Sequence, residues 1–252
     1  MSHDRQRGGG YVQARLQGEE DHFCGCSRTA TGRRVDPLRD QLNNLEYCLQ
    51  MPVSIGESIL ITGTGRCGTT FLVALFTLLG MDTGFTRETL KENIHDKTKG
   101  GLEEQPGKYK IAKNPGFIFM MEQYIVECKQ VPKLVIIPVR HFTEATKSRY
   151  KNTEEQGLLN DPMPEEMTSS KGAGGLWNAN TKEEQILFYN KCMAEYIQVM
   201  TRYGIPTKFI DFHHMTTNPR YLFKSLEEVF ESDVTYERFE ECYNEATSLC
   251  AR

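Results

Sequence analysis

The stretch Ser58-Ile59-Leu60-Ile61-Thr62-Gly63-Thr64-Gly65-Arg66-Cys67-Gly68-Thr69-Thr70 decides the fold of this chain. Its apolar residues Ile59–Ile61 are typical of a buried strand, and the segment from Thr69 to Leu79 is apolar enough for a buried helix. Between them, glycines allow backbone N–H groups to converge on an anion, and the N-terminus of the helix adds its positive end. The stretch therefore predicts a phosphate-binding loop of the P-loop kind at the start of a βαβ fold.

Three further segments have the composition of short strands, namely Tyr109 to Ala112, Leu134 to Val139 and Thr207 to Phe212. A helical segment separates each strand from the next, and this alternation is typical of a parallel sheet. We therefore expect an α/β fold with a single doubly wound parallel sheet and helices on both of its faces.

Two later helices carry clear signals in the sequence. Thr181 to Glu184 forms a capping box, and Gly204 followed by Pro206 marks the end of that helix. Its expected apolar face consists of Ile186, Leu187, Met193, Ile197 and Met200. Asn218-Pro219 predicts the start of the second helix. Its expected inward residues are Leu222, Phe223, Leu226 and Phe230.

Composition divides the chain into three parts. Residues 1–35 are rich in Gly, Arg, Gln and Asp without an apolar period, which predicts a mobile arm. Asp36-Pro37 and leucines at helical spacing predict a docking helix over residues 36–50, followed by the α/β domain over residues 51–252. Within it, residues 152–180 predict a long surface loop that is a candidate lid. Trp177 either stacks on a ligand or only anchors this loop.

The overall composition excludes several classes of protein. A formal net charge of −4 gives no general attraction to nucleic acid, and the longest apolar run, Phe71 to Met81, is too short to span a membrane. Eight cysteines are too few for a disulfide scaffold, so we expect reduced thiols and a cytoplasmic location. The cluster from His22 to Cys26 lacks a second pair of ligands at zinc spacing, so no metal site is expected.

The glycine-rich loop departs from that of a nucleotide triphosphatase. Its outer glycines have the Walker spacing, but Thr69 occupies the place of the lysine that reaches the β- and γ-phosphates. The strand that ends at Val139 is followed by Arg140, where a Walker B strand supplies an aspartate for magnesium. Arg140 and Ser148 are eight positions apart, so we expect them to share a helix face and to bind one phosphate.

These motifs resemble those of the sulfotransferases that use 3′-phosphoadenosine 5′-phosphosulfate as donor. In that family the 5′-phosphosulfate loop reads Pro-Lys/Arg-Ser-Gly-Thr-Thr, and Arg66-Cys67-Gly68-Thr69-Thr70 is similar to it. The family's 3′-phosphate element is an Arg followed eight residues later by a Ser, as in Arg140 and Ser148. The chain departs from the pattern in having Gly65 and Cys67 at the usual places of Pro and Ser, and it lacks a late Lys/Arg-Gly-rich loop.

Two later segments extend the resemblance. Lys113-Asn114-Pro115 is similar to the Lys-x-Pro of many members, and Phe209-Ile210-Asp211 followed by Asn218-Pro219 resembles the family's late strand and helix. The resemblance thus covers roughly residues 56 to 232.

The resemblance implies transfer of a sulfuryl group from this donor to a hydroxyl or amine of a small molecule or glycan, with no metal required. The implied donor site consists of Gly65, Arg66, Cys67, Gly68, Thr69, Thr70, Arg140 and Ser148. Arg66 is the expected cation for the leaving group. Lys113 is expected to steady the sulfuryl oxygens or, alternatively, to be a solvated strand end.

The acceptor also requires a general base. Members with a Lys-x-His motif carry their catalytic His where this chain has Pro115, and other members use a Glu downstream of the loop. Glu88 is similarly placed and is the expected base, unless it only stabilises a helix N-terminus. His95, His213 and His214 are the alternatives. Two other functions stay open, a variant P-loop nucleoside or small-molecule kinase and a non-catalytic nucleotide-binding protein.

Overall fold

Four parallel strands form the sheet of this computed structural model, which describes residues 53–96, 98–159, 174–230 and 232–251. The strands are β1 (Ile59–Ile61), β2 (Ile111–Lys113), β3 (Leu134–Val139) and β4 (Thr207–Asp211), in the spatial order β2-β1-β3-β4. All four predicted strands are therefore present, although β2 begins two residues later and ends one residue later than predicted. The last one ends a residue earlier than predicted, because the Asp211 side chain accepts a hydrogen bond from the His214 N–H and so caps a helix that begins at Phe212.

Helices cover both faces of the sheet, which confirms the predicted fold class. In the described residues they are α1 (Thr69–Leu78), α2 (Arg87–Asn93), α3 (Phe117–Cys128), α4 (Phe142–Glu155), α5 (Lys182–Tyr203), α6 (Phe212–Thr217), α7 (Pro219–Leu226) and α8 (Tyr236–Cys250). Side chains alternate between the two faces along β1. Ile59 and Ile61 pack with α1, α7 and α8, whereas Leu60 packs with α3 and α5.

Helix α1 is the centre of one of these two cores. Every one of its residues is buried, which agrees with the apolar run that the sequence shows there. The Phe71 ring packs edge to face against Tyr243 of α8, at 5.4 Å between ring centroids. Residues 62–68 join the end of β1 to the start of α1, so the N-terminus of this helix lies at the carboxyl edge of the sheet.

Helix α5 has the predicted ends but only part of the predicted apolar face. The capping box of Thr181 with Glu184 and the left-handed Gly204 after the last turn are both present. The predicted face is wrong for Leu187 and Ile197, which are 68% and 49% exposed, but right for Met200, which is buried. The residues that α5 buries are Gln185, Tyr189, Cys192, Tyr196 and Met200. These five share one stripe at helical spacing, and it is less hydrophobic than the stripe predicted from aliphatic residues alone.

Helix α7 begins as predicted, with the Asn218 side chain accepting a hydrogen bond from the Tyr221 N–H. Leu222 and Leu226 are fully buried, and Phe223 and Phe230 are partly buried against the same core. The predicted surface loop over residues 152–180 begins later than expected, because α4 extends to Glu155.

Other predictions lie wholly or partly outside the described residues. These are the arm over residues 1–35, the docking helix over residues 36–50, the His22 to Cys26 cluster and the part of the loop between residues 160 and 173. Within the described part of the chain, no helix is long and apolar enough to cross a membrane.

The cysteines differ from the prediction in one respect. Cys67, Cys192, Cys242 and Cys250 are free thiols, as expected. Cys128, at the end of α3, is disulfide-bonded. The prediction of reduced thiols is therefore wrong for this residue.

Candidate functional site

The glycine-rich loop between β1 and α1 has a backbone that glycine permits and most residues avoid. Gly63, Gly65 and Gly68 have positive φ values of 143°, 72° and 87°, and Arg66 also has a positive φ of 58°. Gly68 precedes α1 without a side-chain cap, so the N–H groups of the first turn are left for another acceptor. This geometry is suited to binding an anion at the helix N-terminus.

A cavity of about 750 Å³ opens at this loop, on the carboxyl edge of the sheet. It brings together most of the residues that the sequence singled out, namely Gly65, Arg66, Gly68, Thr69, Thr70, Lys113, Arg140 and Ser148. Cys67 does not line the cavity. Its side chain is fully buried beside Gly63, and burial raises the pKa of its thiol.

Arg66 connects two sides of the cavity. Its Nε donates a hydrogen bond of 3.1 Å to the Ser148 hydroxyl, and its Nη1 donates one of 2.5 Å to the Thr98 carbonyl. The Arg66 carbonyl in turn accepts a hydrogen bond of 3.1 Å from Arg140, whose guanidinium stacks over the Phe212 ring. The two residues of the predicted 3′-phosphate element therefore meet around Arg66.

The expectation that Arg140 and Ser148 share a helix face is wrong. Helix α4 begins at Phe142, so Arg140 lies in the connection from β3 and only Ser148 is helical. The two side chains still line the same cavity, because the connection directs Arg140 toward the loop.

Lys113 is buried rather than solvated, with only 2% of its side chain exposed. Its Nζ donates hydrogen bonds to the Thr70 hydroxyl at 3.3 Å, the Gly101 carbonyl at 2.8 Å and the Glu103 carboxylate at 2.5 Å. Burial lowers the pKa of this ammonium group, and the neighbouring carboxylate opposes that effect. The alternative of a solvated strand end is therefore wrong.

The loop over residues 98–103, which sequence reasoning missed, forms one wall of the cavity. It is fastened by Arg66 at the Thr98 carbonyl and by Lys113 and Thr70 at the Gly101 carbonyl. It also contributes Glu103, the one acidic residue among the described residues that line the cavity. Gly100 and Gly101 could have indicated a loop here. Its place beside the cavity, however, depends on hydrogen bonds with residues that are distant in sequence.

Arg149 is a second residue that the sequence did not single out. Only 4% of it is exposed, and it lines the cavity from the side of α4. Its guanidinium donates hydrogen bonds to the Thr64 carbonyl at 3.1 Å, to the Gly175 carbonyl and to the Tyr189 hydroxyl. Burial raises the pKa of that tyrosine to about 12, so it remains neutral.

The position of Trp177 is compatible with both roles that the sequence left open, stacking on a ligand and anchoring the loop. It lines the cavity, and its ring packs against Phe119 and Phe188 at centroid distances of 5.2 Å and 5.6 Å. The Arg149 guanidinium lies 5.3 Å from the centroid of the same ring.

The structure does not bring Glu88 to the cavity. Its side chain is exposed in the first turn of α2, where a hydrogen bond with Thr86 lowers the pKa of its carboxyl group. Glu88 does not line the cavity, which counts against its predicted role as the general base. His213 and His214 are exposed and do not line the cavity either, whereas His95 does.

The charges of the cavity are strongly unequal. Its lining includes the cations Arg66, Lys99, Lys113, Arg140 and Arg149 against the single described acid Glu103, in a chain whose formal net charge is −4. Such a local excess of positive charge attracts an anionic ligand irrespective of the net charge. Within the described ranges, no group of three or more His, Cys, Asp or Glu residues is placed to hold a metal ion.

Comparison of the chain with protein-family models, curated proteins and solved structures finds no match.

Proposed function

We propose that this protein is a sulfotransferase that takes a sulfuryl group from 3′-phosphoadenosine 5′-phosphosulfate. The observation that carries the proposal is that the glycine-rich loop, Lys113, Arg140 and Ser148, which are distant in sequence, line one cationic cavity. Two separate elements that the sequence predicts to bind phosphate lie at one cavity, which matches a donor with phosphates at two positions, and the resemblance in the sequence supports the same donor.

The residues divide into groups with different tasks. The first-turn amides of α1 with Thr69 and Thr70 would hold the 5′-phosphate, since they lie at a helix N-terminus. Arg140 and Ser148 would hold the 3′-phosphate. Arg66 contacts both elements and would stabilise the negative charge that develops on the bridging oxygen as the S–O bond breaks.

Glu103 is the residue we propose as general base, in place of Glu88. It lies 2.5 Å from Lys113, which in turn is 3.3 Å from Thr70, so it is two hydrogen bonds away from the phosphate loop. Its carboxylate would accept the proton of the acceptor hydroxyl or amine while the acceptor atom bonds to sulfur and the bridging oxygen leaves with the bonding electrons. Lys113 would hold Glu103 in place and supply positive charge next to the sulfuryl oxygens.

The acceptor and the location of the protein stay predictions. The acceptor class is a small molecule or glycan with a free hydroxyl or amine. The cytoplasmic location was inferred from composition, and the disulfide at Cys128 counts against it because disulfides persist mainly in oxidising compartments.

The test is a transfer assay with donor labelled at sulfur and a panel of phenols, sterols, amino sugars and glycans. We expect label to move to at least one acceptor class without added metal. A parallel thermal-shift series compares 3′,5′-adenosine bisphosphate with ATP and magnesium. Stabilisation by ATP with magnesium alone would favour the kinase, whereas stabilisation by the bisphosphate without transfer to any acceptor would favour a non-catalytic binding protein.

A further inference from the structure

Arg149 carries a positive charge that no carboxylate of the described residues neutralises at ion-pair distance. Its hydrogen-bond acceptors are two carbonyls and a hydroxyl, all of them neutral. Burial of a charge without a counter-charge is unfavourable, because the low dielectric of the interior does not replace the lost hydration. The described partners thus accept three hydrogen bonds from Arg149, whose guanidinium has five N–H donors, and leave its charge for an anion that enters the adjacent cavity.

The two carbonyl acceptors of Arg149 belong to two different walls of the site. The Thr64 carbonyl is part of the glycine-rich loop, here called the phosphate loop. The Gly175 carbonyl belongs to the segment Gly174–Trp177, near the C-terminal end of the long loop. This arrangement also requires a glycine at position 65, because a Cβ atom on Gly65 would overlap the Arg149 Nη2 atom. The guanidinium therefore fixes the phosphate loop and the Gly174–Trp177 segment relative to each other.

The Gly174–Trp177 segment has further contacts that keep it next to the donor site. The Leu176 N–H donates a hydrogen bond of 2.8 Å to the Thr153 hydroxyl, and the Asn152 amide donates one of 3.1 Å to the Gly174 carbonyl. A Cβ atom at Gly174 would lie 3.3 Å from the Arg66 Nη1 atom. Arg149 therefore connects the backbone of the glycine-rich loop, at Thr64, to the ring of Trp177.

We propose that Arg149 is a positioning residue of the 5′-phosphate site, which supplies buried positive charge to the phosphate loop and couples its occupancy to Trp177. This inference rests on the proposed function, since it takes the anion to be the donor's 5′-phosphate. It adds Arg149, which lies outside the two phosphate motifs, to the donor site. It also predicts that the fluorescence of Trp177 reports donor binding.

The single tryptophan of the chain makes the experiment direct. Trp177 fluorescence is titrated in the full chain with 3′,5′-adenosine bisphosphate and with 3′-AMP, which lacks the 5′-phosphate. The variants are Arg149→Met, Arg149→Lys and, as a matched control on an exposed position of the same helix, Lys151→Met. Melting temperatures without ligand are recorded for each variant.

We expect the wild type and Lys151→Met to bind the bisphosphate with the same affinity and the same fluorescence change. Arg149→Met should weaken the bisphosphate about tenfold to a hundredfold and 3′-AMP less than threefold, which a merely structural loss would not do. Arg149→Lys retains the charge but cannot reach three acceptors at once. It should therefore keep part of the affinity while losing most of the fluorescence change.

Two results would overturn the inference while the wild type still binds the bisphosphate. One is unchanged affinity and fluorescence response in Arg149→Met. The other is an equal loss for both nucleotides, which would make Arg149 structural only. If Arg149→Met does not fold, the same two criteria are applied to Arg149→Lys. Absence of bisphosphate binding in the wild type and in Lys151→Met would instead contradict the proposed function itself.

Discussion

At the scale of single residues, the assignment of the general base depends on which carboxylate faces the cavity. Glu103 is 45% exposed at its side chain and paired with the buried Lys113, whereas Glu88 is on the surface of α2. The two residues have the same chemistry, so only their positions distinguish them. This makes Glu88 a matched control for Glu103.

We predict that Glu103→Gln lowers kcat by roughly a hundredfold to ten-thousandfold, because the amide cannot accept the acceptor's proton. Its affinity for 3′,5′-adenosine bisphosphate should stay within about threefold of the wild type, since the donor does not require a base. Glu88→Gln should keep full activity. Turnover rates and binding titrations of both variants provide the measurement. An active Glu103→Gln beside an inactive but folded His95→Gln would transfer the role to His95.

Arg66 allows a second prediction at this scale. Arg66→Ala should lower kcat at least about a hundredfold and change donor affinity by less, because charge on the bridging oxygen appears only as the S–O bond breaks. Arg87→Ala is the control, since Arg87 is exposed and ion-paired with Glu245 at 2.6 Å outside the cavity. Steady-state kinetics of both variants measure kcat and the KM for the donor. An Arg66→Ala enzyme with normal kcat and a raised KM would make Arg66 a binding residue only.

At the scale of elements, the sequence predicted regular structure better than it predicted contacts between elements. The strands, the capping box at Thr181 and the burial of α1 follow from local patterns, and all are present. The face of α5 is only partly as predicted, because Gln185, Tyr189 and Tyr196 are buried although their polarity does not indicate it. Arg149 and Glu103 could not be found, since their partners are distant in the chain.

At this scale we predict different effects of replacing Gly65 in the phosphate loop and Gly157 outside it. Gly65 and Gly157 both have a φ of 72°, but a Cβ atom at Gly157 meets no atom within 4 Å, whereas one at Gly65 would overlap Arg149. Gly157→Ala should therefore cost only the backbone strain of about 1–2 kcal/mol. Gly65→Ala should cost more and should also abolish bisphosphate binding, because it displaces Arg149 from the loop. Urea unfolding combined with a binding titration measures both effects. Equal destabilisation with binding retained in both variants would contradict this role of the loop.

At the scale of the whole molecule, the distribution of charge matters more than its sum. The chain has a formal net charge of −4, yet among its described residues five cations line one cavity of about 750 Å³. The parallel sheet makes this possible, because the segments that follow β1, β2 and β3 all emerge at its carboxyl edge. Arg66, Lys113 and Arg140 lie on or just beyond those three strands.

The most direct test of this account is calorimetric titration of the wild-type protein with 3′,5′-adenosine bisphosphate and with 5′-AMP. We predict that the bisphosphate binds at least about tenfold more tightly, because charge-assisted contacts to its 3′-phosphate contribute roughly 1.5 to 3 kcal/mol. Arg140→Ala should bring the two affinities to within a few-fold of each other. No binding of the bisphosphate, or equal affinities for the two nucleotides in the wild type, would contradict the proposed donor site.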